Sequence, residues 1–162
     1  MKNILSILLV SVILFGCDTK TDDPIESRYH IDKTIEKNQT FCLKSNNQKI
    51  TGVVYSEYHS GRLKSEMSLK NGLFHGLSKA WYANGQLNME SNYYEELLHG
   101  MTKNWYENGQ LENEQNYRHE NKHGLFRIWY KNGAVKTRGR FEHNNLISIQ
   151  CWDIKGNKIS CN

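Results

Sequence analysis

A single proline, Pro24, serves all 162 residues, so turns elsewhere do without it. The longest apolar run, Ile4–Phe15, has 12 residues, and a permanent membrane-spanning helix needs about 20. No G-x-S-x-G turn and no phosphate-cradling glycine loop is present, which removes two common signatures of hydrolases and nucleotide-binding proteins. The four cysteines lack zinc-ligand spacing. Charge of one sign is scarce as well: 21 Lys/Arg against 17 Asp/Glu give +4, and acidic and basic residues alternate along the chain. A nucleic-acid surface would call for a basic stripe with interleaved aromatics. No nucleic acid, metal or cofactor is therefore expected.

The front end is what remains of the hydrophobic signal. One positive charge in Met1-Lys2-Asn3 precedes ILSILLVSVILF, the make-up of a signal peptide. The run ends in Leu14-Phe15-Gly16-Cys17, which resembles the lipobox of bacterial lipoproteins. That implies a signal peptide over residues 1–16 and a lipid (palmitate) anchor on Cys17. Residues 17–40 then read as a tether: Asp18–Gln39 is charged and poor in apolar side chains, too poor to offset the entropy of ordering it. Asp18 resembles the inner-membrane retention residue of enteric lipoproteins, a rule other bacteria do not follow, so the leaflet stays open. The expected location is the bacterial cell envelope. Cys42, Cys151 and Cys161 are left, an odd number for an oxidising compartment. Cys151 and Cys161 flank Gly156 in a terminal hairpin pattern and are expected to pair, which leaves Cys42 free.

The rest of the chain repeats itself. His-Gly recurs at His75, His99 and His123, a period of 24, and Trp81, Trp105 and Trp129 keep the same step. So do Tyr58, Tyr82, Tyr106 and Tyr130, and Gly61, Gly85, Gly109 and Gly133; Gly52 and Ser148 lie on the same lattice. Trp152 and Gly156 come one residue early, as in a degenerate last unit. Asn-Gly after each Trp-Tyr pair is a strong hairpin signal. The flanks alternate without helix caps or a 3.6-residue period. Each unit is expected to be strand, tight turn, strand, looser turn, with units stacked edge to edge in one long antiparallel sheet over residues 41–162.

Alternation assigns faces. With a three-residue turn and a glycine bulge, Trp81 faces Leu87. One packed side then collects Leu77, Trp81, Leu87, Met89 and Tyr93, repeated as Met101, Trp105, Leu111 and Tyr117, and as Leu125, Trp129, Val135 and Phe141. The other side carries Tyr58, Tyr82, Tyr106 and Tyr130 with Glu66, Glu90 and Glu114. Lys79, Lys103 and Arg127 fall awkwardly on the packed side, where they would lay their stems over the tryptophans unless the register is off by one.

The units Gly76–His99, Gly100–His123 and Gly124–Ile147, with a Trp-Tyr-x-Asn-Gly-x-Leu/Val core, a late aromatic and a His-Gly close, resemble the bacterial variant of the MORN repeat. The resemblance covers about Gly52–Ser160. It implies an elongated all-β sheet of stacked MORN-type hairpins of about 24 residues and a non-catalytic, protein-binding role. Bacterial proteins of this type often carry the label YwqK-type antitoxin, and many are envelope lipoproteins.

Chemistry is hard to place on such a lattice. HENKH, His119–His123, fits the H-E-x-x-H zinc-protease pattern, but that motif needs a helix to bring both histidines to one face, and here it spans a turn between strands. Equivalent residues of stacked units lie about 10 Å apart, too far for His75, His99 and His123 to share one metal ion. The glutamates stand too far apart in the same way to act as an acid–base pair. The histidines are read as bonding turn backbone and the tryptophans as core. The tyrosines are either cross-strand packing or a contact surface, a role that suits them. No catalytic or metal residue is assigned. The expected partner is a protein, with a toxin or effector as the finer version, met through Tyr58, Tyr82, Tyr106, Tyr130, Glu66, Glu90 and Glu114. An envelope scaffold or a lipid- or glycan-binding module is the alternative.

Overall fold

Two kinds of turn, alternating through the repeats, cut residues 87–152 into strands of eight or nine residues. The computed structural model describes residues 27–161; the signal segment, the lipobox and Cys17 lie outside the described residues. After β1 (Arg28–His30) and a single 3-10 turn come β2 (Thr34–Lys37), β3 (Thr40–Leu43), β4 (Gly52–Glu57) and β5 (Leu63–Lys70). β6 (Leu73–Phe74), β7 (Gly76–Trp81), β8 (Leu87–Tyr94), β9 (Leu97–Trp105) and β10 (Leu111–Arg118) follow. β11 (Asn121–Trp129), β12 (Val135–Glu142), β13 (Asn145–Trp152) and the short β14 (Lys158–Ile159) complete the set. There is no α-helix among the described residues. Consecutive strands from β4 onward pair antiparallel in a twelve-stranded sheet, with β1 added parallel to β4 and β6 on β5. β2 and β3 form a separate hairpin.

The turn after each tryptophan is a three-residue loop. Tyr82 N–H donates to the Gln86 carbonyl at 2.8 Å and Gly85 N–H to Tyr82 at 2.9 Å, and the same pair recurs at Tyr58, Tyr106, Tyr130 and Asp153. Gly85 sits at φ +91°, the left-handed position that closes a three-residue hairpin with a bulge. Asn84 stays at ordinary φ and uses its side chain instead, accepting from Gln86 N–H at 2.9 Å.

The second turn, expected to be the looser one, is the tighter. Glu95-Glu96, His119-Glu120 and His143-Asn144 are two-residue loops, joining Tyr94↔Leu97, Arg118↔Asn121 and Glu142↔Asn145. Both residues of each have positive φ, between 47° and 69°, the type I′ geometry that normally selects Asn-Gly. A bond from the preceding unit offsets the cost. Glu96 N–H donates to Phe74 at 2.8 Å, Glu120 N–H to Leu98 at 2.8 Å and Asn144 N–H to Lys122 at 3.0 Å.

A second bulge corrects the expected faces. Trp81 does oppose Leu87, but Ala80 opposes Met89, so Asn88 is an extra residue; Glu112 and Lys136 are its equivalents. Past the bulge the parity of the second strand inverts. Met89, Ser91 and Tyr93 therefore pair with Ala80, Ser78 and Gly76, while Glu90 joins Lys79 on the tryptophan side. The glutamates do not share a face with Ala80 and Ser78, and the lysines are no longer awkward.

Within the repeats the buried side chains, Ser78, Ser91, Phe126 and Thr137, lie on the face opposite the tryptophans, whereas Leu77 and Leu125 of the expected packed side are exposed. The largest apolar cluster lies at one end of the sheet. Ile50, Val54 and Leu69 are 1%, 0% and 3% exposed, with Tyr29, Phe41, Leu43, Met67 and Phe74 packed around them. The β2–β3 hairpin supplies part of this cap: Phe41 N–H donates to Gly72 and Ile50 N–H to Phe41. Residues 28–39 thus belong to the fold, although composition placed them in the tether. They contribute few apolar side chains, and backbone pairing with β4 holds β1 in place. Through the repeats the sheet is a single layer and most side chains are half-buried. Stability there must come from strand-to-strand and unit-to-unit bonds, as in other quasi-one-dimensional repeats.

Candidate functional site: two ladders and an open end

The tyrosine column is a hydrogen-bond ladder. The hydroxyl of Tyr58 donates to the carbonyl of Trp81 at 2.6 Å, Tyr82 to Trp105 at 2.7 Å, Tyr106 to Trp129 at 2.8 Å and Tyr130 to Trp152 at 3.0 Å. Each bond crosses from one hairpin to the next. Beside it, the side-chain amides of Asn84 and Asn108 donate to the Glu107 and Lys131 carbonyls, each at 2.9 Å. Trp81, Trp105, Trp129 and Trp152 are half-buried and take part through their carbonyls. Burial, then the Glu112 and Glu107 carboxylates, push the Tyr82 hydroxyl above its ordinary value; burial and Glu112 do the same to Tyr106. These phenols stay protonated and donating at neutral pH.

The carboxylates form a second ladder on the tryptophan face. Cross-strand neighbours run Glu66, Lys79, Glu90, Lys103, Glu114, Arg127. Arg28 pairs with Glu66, Lys79 approaches Glu90 at 3.7 Å and Arg127 approaches Glu114 at 3.4 Å. Opposite charges facing each other across strands stabilise a sheet. Glu66, Glu90 and Glu114 each have a cation within reach inside the fold.

The alternation stops at Arg127, which faces Arg138 across the next strand pair. Arg138 Nε donates to Gln150 Oε1 at 2.8 Å, and its guanidinium lies 5.1 Å from the Trp152 ring centroid. No carboxylate lies within ion-pair distance of Arg138 or Arg140 among the described residues. Leu125, Val135, Ser148 and Trp152 border the same open cleft of about 900 Å³. Charge follows this geometry. Residues 118–161 hold nine Lys/Arg and three Asp/Glu, whereas residues 27–117 hold ten of each. The mixture that looked even along the whole chain is therefore uneven between its ends. Arg138 and Arg140 went unnoticed in the sequence, although a charge count by segment carried the signal.

Cys151 and Cys161 form a disulfide with Cα atoms 5.4 Å apart, and Cys42 is buried and free. HENKH occupies a two-residue turn and the start of β11, where the His119 ring packs on His99 at 4.8 Å and the His123 ring on His143 at 5.3 Å. The i, i+4 face of a helix does not exist there. The repeat histidines do not bond turn backbone as expected. His75 packs against Tyr94 at 5.2 Å, and His123 Nδ1 is buried without a hydrogen-bond partner. No cluster of three metal-ligating side chains occurs among the described residues.

Residues 74–93, 98–119 and 122–143 match the MORN repeat variant, so MORN-type repeats are present in the middle of the chain. The matched stretches correspond to the β7–β8, β9–β10 and β11–β12 hairpins with their flanking turns. No curated protein matches the chain.

Proposed function

We propose that this is a non-enzymatic bacterial envelope lipoprotein, anchored through Cys17, whose repeat sheet binds another protein, with an antitoxin- or immunity-like role as its finer assignment. The observation that carries this reading is the double stitching of every hairpin to its neighbour. The tyrosine bonds act at one end and the type I′ turn bonds at the other. A sheet held this way presents a broad preorganised surface, and binding to it incurs little ordering entropy. Repeat modules of this kind commonly serve in binding. The lipobox-like sequence supports the anchor, and the label often given to bacterial relatives of this type motivates the toxin-directed version.

The test is capture of binding proteins from envelope extract by the full chain, followed by reconstitution with the purified partner and a measured affinity. Metabolic labelling with a palmitate analogue, lost in Cys17→Ser, checks the anchor. A reconstituted 1:1 complex that blocks a toxic activity supports the finer role. Binding to phospholipid vesicles or peptidoglycan, with no protein complex, overturns the reading.

A further inference from the structure

Resting on that reading, we infer that the outer edge of β13 is where the partner docks, by adding an extended acidic segment of its own as a further strand. The two ends of the sheet are finished differently. At the first end, β2 and β3 cover the core and β1 is only three residues long. At the other end, β14 pairs with β13 only through Cys151↔Ile159 and Trp152↔Lys158. The Cys151–Cys161 disulfide then ties the chain back to that spot. Asn145–Gln150 has no strand on its outer side among the described residues.

Exposed strand edges usually carry a lysine, a proline or an inward charge that blocks pairing. Asn145–Gln150 reads NLISIQ, without charge or proline, and its one irregularity is a bulge at Ile147, between the Leu146↔Phe141 and Ser148↔Arg140 pairs. Leu146, Ile147 and Ile149 are 49%, 57% and 41% exposed. Strand addition is a known recognition mode for such an edge: main-chain bonds supply affinity, and side chains on the two faces supply specificity.

Charge selects the occupant. Arg140 opposes Ser148 and Arg138 opposes Gln150, so both arginines lie one strand in from the edge. Ser148 is small enough for the Arg140 guanidinium to pass over it toward an added strand. On the opposite face Leu146 sits against Phe141, and Ile149 against Gly139. A strand alternating acidic and apolar side chains matches both faces. Residues 118–161 carry a net charge of +6, from nine basic and three acidic residues, so two copies meeting edge to edge would bring like charges together. An acidic segment meets the opposite sign, and its attraction falls with salt.

The probe is an end-blocked eight-residue peptide alternating glutamate and valine, titrated into the full chain while the backbone amides of residues 145–150 are followed by NMR. Shifts should concentrate at Asn145–Gln150. Binding should weaken at least tenfold with a lysine–valine peptide, with alternate peptide amides methylated, and in Arg138→Glu/Arg140→Glu. The double variant must keep the wild-type amide pattern elsewhere. Ile149→Pro, which removes an N–H on the outer side of β13, should act in the same direction. Equal binding by the acidic and basic peptides overturns the inference, as does indifference to amide methylation or a dimer formed through these same amides. If a captured protein partner binds the wild type and both variants equally, the edge is the wrong site while partner binding stands. If nothing proteinaceous binds at all, both fall.

Discussion

The hydroxyl of Tyr106 donates to the main-chain carbonyl of Trp129, 23 residues further on, and the same bond recurs three times with the neighbouring pairs. A tyrosine that looks like a contact residue in sequence is therefore also a fastener between hairpins. Replacing Tyr106 with phenylalanine keeps the ring and removes only this bond, leaving the Trp129 carbonyl without that donor. The expected cost is about 1 kcal/mol. Hydrogen exchange should show it locally, as faster opening at the β9–β10 and β11–β12 boundary rather than uniformly.

Alkaline pH should act through the same ladder. The Tyr82 and Tyr106 hydroxyls are raised in the folded state, mainly by burial. Their contribution is fully present below the unfolded tyrosine value of 10.0 and is lost as pH rises through the folded values, where the donor becomes an anion. Urea unfolding from pH 9 upward should show a steeper loss for the wild type than for Tyr82→Phe/Tyr106→Phe. Parallel curves would count against the ladder as the alkaline weak point.

The type I′ turns hold a reserve of stability. Glu95 and Glu96 both sit at positive φ, 49° and 69°, which costs an L-residue roughly 1–2 kcal/mol. Exchanging the pair for Asn-Gly keeps the Glu96 amide bond to Phe74, since that bond uses only backbone. A gain of about 1 kcal/mol in chemical denaturation is expected.

Arg127 and Arg138 face each other with like charge, which a sheet tolerates at a cost of about 0.2–1 kcal/mol. Arg138→Glu should therefore be more stable than Arg138→Gln at low salt, and the difference should vanish at high salt. Both variants lose the Gln150 bond and the contact with Trp152, so their comparison isolates the charge. A more stable but binding-deficient Arg138→Glu would mark the arginine as kept for recognition.

Reducing the Cys151–Cys161 bond, or making Cys161→Ser, should release β14 and leave the capped end intact. Disulfides of short loops contribute about 2–4 kcal/mol. Exchange protection should fall at Cys151–Ile159 and stay unchanged at Val54 and Leu69. Loss of the whole β-signal would instead mean that the terminal hairpin nucleates the sheet.

Much of this architecture is legible in the residues. The 24-residue period, the Asn-Gly turns and the Trp81–Leu87 apposition follow from spacing and turn chemistry alone. The bulge at Asn88 is not legible, because nothing in Leu-Asn-Met marks an extra residue, and one such residue moves Glu90 to the other face. The type I′ turns were hidden for a related reason. Glu95-Glu96 and His119-Glu120 are poor turn formers by propensity, and their positive φ is sustained by a bond to a residue more than 20 positions earlier. Tyr82 suited either packing or recognition by composition, and only the position of the Trp105 carbonyl shows where its hydroxyl goes. The open edge at NLISIQ was readable as an uncharged run but not as an edge, since that depends on how little of β13 the last strand covers.

Every fastener described above reaches only to the adjoining unit: 22 or 23 residues for the tyrosines, and a similar span for the turn amides. No bond of this set skips a hairpin. Duplicating or deleting one 24-residue unit therefore leaves every remaining bond with its proper partner, and shifts the bare edge of β13 about 10 Å relative to the capped end. The hairpin count works as a ruler, which lets gene duplication change the protein's reach without redesigning either end.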